Sequence, residues 1–309
     1  MNYNRRLFLK NSGLFASGIA LAGIGCTSPS GNNEGDGSDS AKTTDTASNV
    51  VAEQAIGQFG LQLYTLRDDL PKDPKGILKQ VADMGYKQIE GYEGKTGLWW
   101  GMSNKDFKSY LDSIGLVMVS SHCEFKKDFE RKAGEAGEIG LKYLIAPWLG
   151  PQKKLDDFKK FAEQFNKCGD ICKKNGLKFA YHNHGYSFKK LEDQFPQDIM
   201  MQGTNPETVD FEMDIYWVAV PEEDPEAWLK KYPGRWKLVH VKDRDKTAPK
   251  TVDDASVDLG TGRLDFKKIL KTAKDTGVEY FIVEQEKYTN STPLKSAQVD
   301  ADYMKNLKI

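Results

Sequence analysis

Short apolar or β-branched segments alternate with longer amphipathic segments along most of the chain. Eight of the short segments have the length and composition of buried strands; they read FGLQLYT, YKQIEGY, LVMVSSH, LKYLIAP, LKFAYHNH, VDFEMDI, WKLVHVKD and YFIVEQE. Between them, runs such as PKGILKQVADM and DDFKKFAEQFNKCGDICKKN place apolar residues at helical spacing. Strands that alternate with helices in this way predict a parallel sheet covered by helices.

Glycines mark the junctions between several of the predicted helices and the strands that follow them. The glycines at these junctions are Gly85, Gly115, Gly140, Gly176 and Gly277. A helix often ends on a residue in the left-handed conformation, which glycine adopts without steric cost. We therefore expect a helix to end at each of these positions.

Two arrangements could close such a sheet: an eight-stranded (β/α) barrel or an open, doubly wound sheet. A dinucleotide-binding doubly wound sheet should have a G-x-G-x-x-G turn after its first strand. The sequence LQLYTLRDDLP stands there instead. We therefore predict a (β/α)8 TIM barrel that forms a single domain over residues 56–309.

The N-terminal residues read as a targeting segment followed by a linker. A twin arginine in NRRLFLK precedes the apolar run GLFASGIALAGIGC, which is too short to span a membrane comfortably. We expect residues 1–26 to be a twin-arginine signal peptide whose lipobox makes Cys26 the lipidation site; cleavage nearby with loss of Cys26 is the alternative. Residues 27–55, rich in Ser, Thr, Gly, Asn and Asp, predict a flexible linker. A periplasmic protein or membrane-anchored lipoprotein of a bacterium is expected.

The charge balance limits the classes of partner. The formal net charge is −1 and the sequence pI is about 6.5, so nothing in the composition suggests a nucleic-acid partner. The membrane is expected to be contacted only through the N-terminal anchor. Cys168 and Cys172 lie four residues apart in a predicted helix, without a second pair to complete a zinc site, and together with Cys123 they are predicted to be packed thiols.

Ionisable residues collect at the carboxyl ends of the predicted strands, where the active site of a TIM barrel lies. All four histidines of the chain lie there: His122, His182, His184 and His240. Carboxylates occupy the same ends: Glu90, Glu212, Asp214, Glu284 and Glu286. Alternate residues of a strand share a face, so these groups would point inward, where buried charge is costly unless it is paired or bound to a metal.

The sequence therefore predicts a mixed histidine and carboxylate site for one divalent metal ion. Mn²⁺, Zn²⁺, Co²⁺, Fe²⁺ and Mg²⁺ all stay open. For any single histidine, a hydrogen-bonded position on the rim is the alternative. Asp243 and Arg244, which follow the seventh predicted strand, are expected to form ion pairs in a loop.

Aromatic residues lie beside the same strand ends. Tyr64, Trp148 and Trp217 could form a platform for the apolar face of a sugar ring. The alternative is ordinary packing beneath the loops. Trp148 and Trp217 each follow a predicted strand closely, and the sequence does not decide between the two interpretations.

Several stretches, in this order and spacing, identify a family. They are GLQLYTLRDDL, YHNHGYSF, FEMDIYWV, VHVKD, DLGTGRLDF and FIVEQE. From about Ile56 onward the chain resembles the xylose-isomerase-like TIM barrels known as sugar phosphate isomerases/epimerases. The resemblance implies four metal ligands, one from each of the last four strands: His182, Asp214, His240 and Glu284. In the ketose epimerases that this chain resembles, the metal ligand on the fifth strand is a glutamate, whereas here it is His182. This difference argues against an epimerisation that uses two symmetrically placed glutamates.

The resemblance also implies the chemistry. We expect a metal-dependent sugar isomerase/epimerase that removes a proton next to a carbonyl and passes through an enediolate, with Glu284 or a rim histidine as base. His184 would be an acid and Lys242 an oxyanion partner. The residues expected to bind the substrate are Gln62, Tyr64, Glu90, His122, Trp148 and Trp217.

Two other activities stay open at this point. The same site could cleave a 3-keto-glycoside by β-elimination, as a lyase or hydratase, or the chain could be a non-catalytic sugar-binding lipoprotein. An abasic-site endonuclease with a trinuclear zinc cluster would need more histidines than the four present. The stretch LGTGRLDF is the nearest candidate for a phosphate-binding loop, and the segment 246–263 could be a lid or an interface.

Overall fold

The computed structural model describes residues 54–309. The predicted signal peptide, the candidate lipidation site Cys26 and nearly all of the predicted linker lie outside the described residues. Among the described residues, no helix combines the length and the apolar character needed to cross a bilayer.

The strands form a closed parallel barrel. They are β1 (Gly60–Gln62), β2 (Gln88–Tyr92), β3 (Val117–His122), β4 (Tyr143–Ala146), β5 (Lys178–His182), β6 (Val209–Asp214), β7 (Trp236–Val241), β8 (Asp243–Arg244), β9 (Ser256–Val257) and β10 (Tyr280–Val283). The barrel order is β1-β10-β7-β6-β5-β4-β3-β2, while β8 and β9 form a separate antiparallel pair. Each barrel strand corresponds to one of the eight predicted strands, so the predicted (β/α)8 TIM barrel is confirmed.

Helices surround the barrel and connect its strands. They are α1 (Pro74–Asp83), α2 (Asn104–Ile114), α3 (Phe129–Glu138), α4 (Leu155–Lys174), α5 (Pro196–Gly203), α6 (Ile215–Ala219), α7 (Pro225–Lys231), α8 (Phe266–Asp275) and α9 (Pro293–Asn306). The long helices are amphipathic and bury one face. In α4, for example, Phe158, Phe165 and Cys172 are buried and the lysines point outward.

The predicted glycine positions at the helix ends are confirmed. Gly85, Gly115, Gly140, Gly176 and Gly277 all have positive φ, between 74° and 98°. An L-residue with a side chain rarely adopts this conformation. The predicted packed thiols are confirmed as well, since Cys123, Cys168 and Cys172 are buried and free.

Two local predictions differ from the structure. The first strand is shorter than predicted because the side chain of Gln62 accepts a hydrogen bond from the backbone N–H of Tyr64 (3.0 Å), which starts a 3₁₀ turn at Leu63–Leu66. The predicted loop ion pairs of Asp243 and Arg244 are wrong. The two residues form β8, and their side chains bind backbone groups: Asp243 accepts N–H groups and Arg244 donates to carbonyls such as that of Val252 (2.7 Å).

The inward side chains of β6 lie at three successive depths of the barrel. Asp210 is deepest and accepts hydrogen bonds from Tyr143 (3.0 Å) and Lys178 (3.0 Å). Glu212 lies one layer above, and Asp214 lies at the carboxyl end of the strand. Layered filling of this kind makes a TIM barrel a packed core rather than a pore, and here each of the three layers carries a carboxylate.

Candidate active site

Four side chains meet at the carboxyl ends of the last four barrel strands. These residues, which we call the upper group, are His182 from β5, Asp214 from β6, His240 from β7 and Glu284 directly after β10. His182 Nε2 lies 3.1 Å from His240 Nδ1 and 3.5 Å from Asp214 Oδ2. His240 Nδ1 lies 3.2 Å from Glu284 Oε2. One donor atom from each residue falls within 4.8 Å of the others, so the group can surround a single ion.

The upper group fits a divalent metal ion chemically. Its two imidazoles and two carboxylates are the donor types that Zn²⁺, Mn²⁺ and related ions take. Asp214 Oδ2 is buried and has no hydrogen-bond partner in the protein. Such an oxygen is costly unless a cation satisfies it.

The electrostatics keep both carboxylates of the upper group ionised. Burial opposes ionisation of Asp214, but Lys242 and the neighbouring histidines outweigh it and hold the pKa of Asp214 well below its usual range. The pKa of Glu284 is lowered in the same way, with burial opposed by Lys242 and His240. Two carboxylates that stay charged are the form that binds a metal.

A second cluster lies one layer deeper and shares His240. This lower group consists of Glu90 from β2, His122 from β3, Glu212 from β6 and His240. His240 Nε2 lies 2.7 Å from Glu90 Oε1, and His122 Nε2 lies 2.9 Å from Glu212 Oε2. Burial works against a charged His122, but Glu90 and Glu212 raise its pKa to about 9.

The two nitrogens of His240 therefore face different layers. A neutral imidazole carries one N–H. If Nε2–H donates to Glu90, the lone pair of Nδ1 is left pointing at the upper group. Carboxylate–histidine contacts of this kind fix the orientation and tautomer of metal-binding histidines.

The structure places Gln62 and Glu90 beneath the upper group rather than at the substrate cavity. Both are fully buried, and neither is among the residues that line the cavity. Gln62 Nε2 donates to Glu90 Oε1 (2.6 Å), and Ser120 Oγ donates to Glu90 Oε2 (2.6 Å). Their hydrogen bonds are thus directed to one another and to His240 instead of to a sugar hydroxyl.

A cavity of about 420 Å³ opens above the upper group. This volume lies within the range of roughly 300–1,000 Å³ that is typical of small-molecule sites. The lining residues are Tyr64, Tyr92, Glu93, His122, Cys123, Glu124, Pro147, Trp148, His182, His184, Trp217, Glu284 and Glu286. Of the predicted substrate-binding residues, the structure brings Tyr64, His122, Trp148 and Trp217 to this cavity.

Aromatic rings surround His184 at one side of the cavity. The ring of His184 meets the edge of Trp148 at 4.4 Å between centroids and stacks on Tyr186 at 5.8 Å. Trp148 keeps 54% of its surface exposed, and Tyr64, another lining residue, keeps 38%. Both side chains are therefore accessible at the cavity mouth, and the guanidinium of Arg67 covers one face of the Tyr64 ring.

His184 lies beside the upper group but does not belong to it. Its ring centroid is 4.9 Å from that of His182. Burial, reinforced by His182, lowers the pKa of His184 well below its usual range, so the imidazole is neutral. Nδ1 is buried without a hydrogen-bond partner, which leaves Nε2 as the nitrogen that can face the cavity.

Lys242 lies behind the cavity wall. Its Nζ is 3.2 Å from Glu284 Oε2, 3.9 Å from Asp214 Oδ2 and in contact with Glu286. It is fully buried and does not line the cavity. Burial disfavours its charge, but Glu284 and Glu286 raise the pKa of Lys242, so the ammonium balances the carboxylates around the upper group.

The sequence analysis did not identify two carboxylates that line the cavity, Glu93 and Glu124. Glu93 follows β2 directly and Glu124 lies two residues after β3. The same signal that marked the histidines, a position just past a strand, could have identified both. Lys132 of α3 holds them in place by donating to Glu93 Oε2 (2.7 Å) and to the carbonyl of Glu124 (2.8 Å).

Comparison with known proteins agrees with this geometry. Residues 78–307 match the family model described as xylose isomerase-like TIM barrel. The chain belongs to this family. The resemblance inferred from the sequence motifs is therefore confirmed.

The proteins that this chain matches have names from two reaction classes. Inosose dehydratase of Clostridium perfringens is 30% identical over 144 residues, and the match covers 42% of this chain and 48% of that protein. In this match the chain therefore spans about half the length of the relative. Inosose dehydratase of Clostridium tetani is 27% identical over 255 residues, 76% of this chain and 82% of that protein. A solved structure of a sugar phosphate isomerase/epimerase from Parabacteroides distasonis is 29% identical, with a TM-score of 0.68 over 84% of this chain and 96% of that one. These names agree with the prediction of a sugar isomerase/epimerase or a related carbon–oxygen lyase.

Proposed function

We propose that this barrel is a divalent-metal-dependent carbon–oxygen lyase for a keto sugar. It would remove a proton from the carbon next to the carbonyl and release an oxygen substituent from the carbon beyond. The observation that carries the proposal is the arrangement of a metal-binding upper group beside a neutral histidine that lies outside it. The dehydratase names of the relatives favour elimination over isomerisation.

A metal bound by His182, Asp214, His240 and Glu284 would act as a Lewis acid that polarises the carbonyl of the sugar. These residues would hold it below the cavity, which His182 and Glu284 also line. Lys242 keeps Glu284 and Asp214 ionised and so keeps them available as ligands.

His184 is placed to move the proton. Its neutral Nε2 takes the proton from the carbon next to the carbonyl, and the resulting imidazolium returns that proton to the departing oxygen. One residue thus acts first as base and then as acid, and no further proton source is needed. Glu284, the base expected from the resemblance, is engaged through Oε2 by His240 and Lys242, which favours a role as ligand.

Isomerisation is the second candidate. The same imidazolium would return the proton to the former carbonyl carbon rather than to a leaving oxygen, while the neighbouring hydroxyl proton moves to the former carbonyl oxygen, which gives an isomer. An epimer would need a second group that delivers the proton to the opposite face of the original carbon. The relative from Parabacteroides distasonis, a sugar phosphate isomerase/epimerase, favours this outcome.

Product analysis in D₂O tests the proposal. The metal-loaded protein is incubated separately with an inosose and with a 3-keto-glucoside, and the products are followed by NMR and mass spectrometry. Loss of water or of the aglycone, with deuterium next to the carbonyl in recovered substrate, is expected. If deuterium enters and only an isomer or epimer forms, the activity is an isomerase rather than a lyase. If no sugar in a panel of keto sugars exchanges, both activities are refuted and the sugar-binding lipoprotein is favoured.

We also propose that the protein is exported by the twin-arginine route and anchored through Cys26. The twin arginine, the short apolar run and the lipobox-like sequence before Cys26 support this location. Metabolic labelling with a radioactive fatty acid should label the wild type but not Cys26→Ala. Equal labelling of both would refute lipidation at this residue.

A further inference from the structure

The loop that follows β9 carries the N–H groups expected of an anion-binding site. Its sequence, Leu259 to Leu264, includes the glycines that made it the candidate phosphate loop. Phosphate sites in TIM barrels are frequently built from the loops after the seventh and eighth barrel strands. Successive backbone N–H groups in such a loop form a concavity that attracts anions.

In this protein the concavity is filled by a side chain of the chain itself. Asp243 Oδ2 accepts hydrogen bonds from the N–H groups of Gly260 (3.0 Å) and Gly262 (3.0 Å). Asp243 Oδ1 accepts from those of Arg244 (2.8 Å) and Leu264 (3.2 Å). A Cβ atom on Gly262 would lie 2.2 Å from Asp243 Oδ1, so the glycine is needed for the carboxylate to sit this close. The carboxylate of Asp243 therefore occupies the position in this loop that a bound phosphate would take.

The cavity itself is lined by negative charge. Among the described residues that line it, none is lysine or arginine, and four are glutamates: Glu93, Glu124, Glu284 and Glu286. A phosphate group carries a charge of about −1.5 to −2 at neutral pH. It would have to enter beside these carboxylates, and the one charged histidine among these lining residues, His122, is already bound through Nε2 to Glu212 (2.9 Å).

The cations behind the wall are engaged by the protein. Lys132 Nζ is held by Glu93 and by the carbonyl of Glu124, and its side chain is only 3% exposed. Lys242 is held by Glu284 and Glu286. Arg67 Nη2 donates to the carbonyl of Glu286 (2.8 Å). None of these groups could turn to a phosphate without leaving a glutamate or a carbonyl unpaired.

We infer that the substrate of this site is an uncharged sugar rather than a sugar phosphate. The inference rests on the proposed function, since it names the class of sugar that the proposed reaction uses. The inferred substrate therefore differs from the sugar phosphate in the name of the relative from Parabacteroides distasonis. Glu93 and Glu124 on the cavity wall set the selectivity, and Asp243 keeps the N–H groups of the glycine loop from binding another anion.

Proton exchange in D₂O with a matched pair of sugars tests the inference. The full-length, metal-loaded protein is given D-fructose in one sample and D-fructose 6-phosphate in another, and deuterium entry next to the carbonyl is followed by NMR. Like charges brought together cost several kcal/mol, so exchange per unit concentration should be ~100-fold slower for the phosphate. Equal or faster exchange of the phosphate would overturn the inference while leaving the proposed chemistry intact.

Phosphate binding gives a test that does not depend on turnover. Inorganic phosphate is titrated into the same protein and its binding is followed by ³¹P NMR. The wild type should show no saturable binding at millimolar concentrations, whereas Asp243→Gly, which empties the loop, should gain it. Asp245→Gly, which removes a carboxylate that accepts hydrogen bonds only within its own turn from Thr247, is the control and should behave as the wild type.

These measurements decide the inference under every outcome. If neither sugar exchanges, fructose is not a substrate of the proposed reaction, and the wild-type titration decides the inference alone. Saturable phosphate binding by the wild type overturns the inference, and its absence supports it. The wild-type result also decides if Asp243→Gly does not fold.

Discussion

At the residue scale, the site depends on one histidine that serves two layers. His240 directs Nδ1 at the upper group and Nε2 at Glu90. Strand periodicity predicts that His240, Asp214 and Glu90 point inward, but it does not predict their depth, because all alternate residues of a strand share a face. Glu90 was therefore expected at the substrate, whereas the structure places it one layer below.

The contact between Glu90 and His240 leads to a prediction about metal affinity. Glu90→Gln keeps the shape of the side chain but weakens the acceptor of the His240 Nε2–H, so Nδ1 is held less firmly toward the upper group. Loss of such an orienting partner typically lowers metal affinity by about 10–100-fold. Isothermal titration of metal-free protein with Zn²⁺ measures this directly.

The control for this prediction is Glu279→Gln. Glu279 is an exposed carboxylate at the other end of β10, paired with Lys237 (2.9 Å). It should bind Zn²⁺ as the wild type does. An unchanged affinity of Glu90→Gln, with the fold intact by circular dichroism, would show that His240 does not need this partner.

His184 carries the proton transfer in the proposed mechanism. His184→Phe keeps an aromatic ring between Trp148 and Tyr186 but removes both nitrogens. General acid–base catalysis typically contributes about 10²–10⁴-fold, so deuterium exchange next to the carbonyl should fall by that factor while Zn²⁺ affinity stays the same. Tyr186→Phe, which removes only a hydroxyl from the ring stacked on His184, should exchange within a few-fold of wild type. Wild-type exchange by His184→Phe would assign the base elsewhere.

At the scale of elements, the most predictable features are the helix ends and the strand positions. Glycine at a helix C-terminus acts locally, so the sequence alone reveals it. The antiparallel pair β8–β9 was not predicted. It depends on contacts such as Arg244 with the carbonyl of Val252, which only the folded chain brings together.

An ion-pair cluster between α7 and α8 predicts a dependence of stability on pH. The hydrogen bond from Lys268 to Glu226, against the opposing effect of burial and with help from Thr272 and Lys230, lowers the pKa of Glu226 from 4.5 to about 2. Because the folded pKa is lowered, the stabilisation is fully present above the ordinary glutamate pKa. It is lost as the pH falls from there through about 2.

Glu226→Gln tests this dependence. At neutral pH the variant should lose about 1–2 kcal/mol of unfolding free energy, measured by urea denaturation. The difference from wild type should shrink as the pH falls below the ordinary glutamate pKa. A difference that stays constant across this range would mean that packing, rather than charge, explains the effect.

At the scale of the whole molecule, the barrel brings together residues that lie far apart in sequence. The order of strands and helices predicted a parallel sheet, and the missing G-x-G-x-x-G turn after the first strand favoured the closed barrel, in which His182, Asp214, His240 and Glu284 meet at one rim. Side-chain depth and the occupant of the glycine loop were not predictable. Both depend on the register between strands, such as Asp214 beside His240, and the sequence pattern does not specify that register.

The central claim is that one divalent ion in the upper group is required to remove a proton next to a sugar carbonyl. The most direct test follows deuterium entry into an inosose in D₂O while Mn²⁺ is titrated into metal-free protein. Exchange should rise with Mn²⁺ and saturate at one equivalent, and Asp214→Ala should neither bind the ion nor exchange. Equal exchange by the metal-free protein, or undiminished exchange by Asp214→Ala, would contradict the claim.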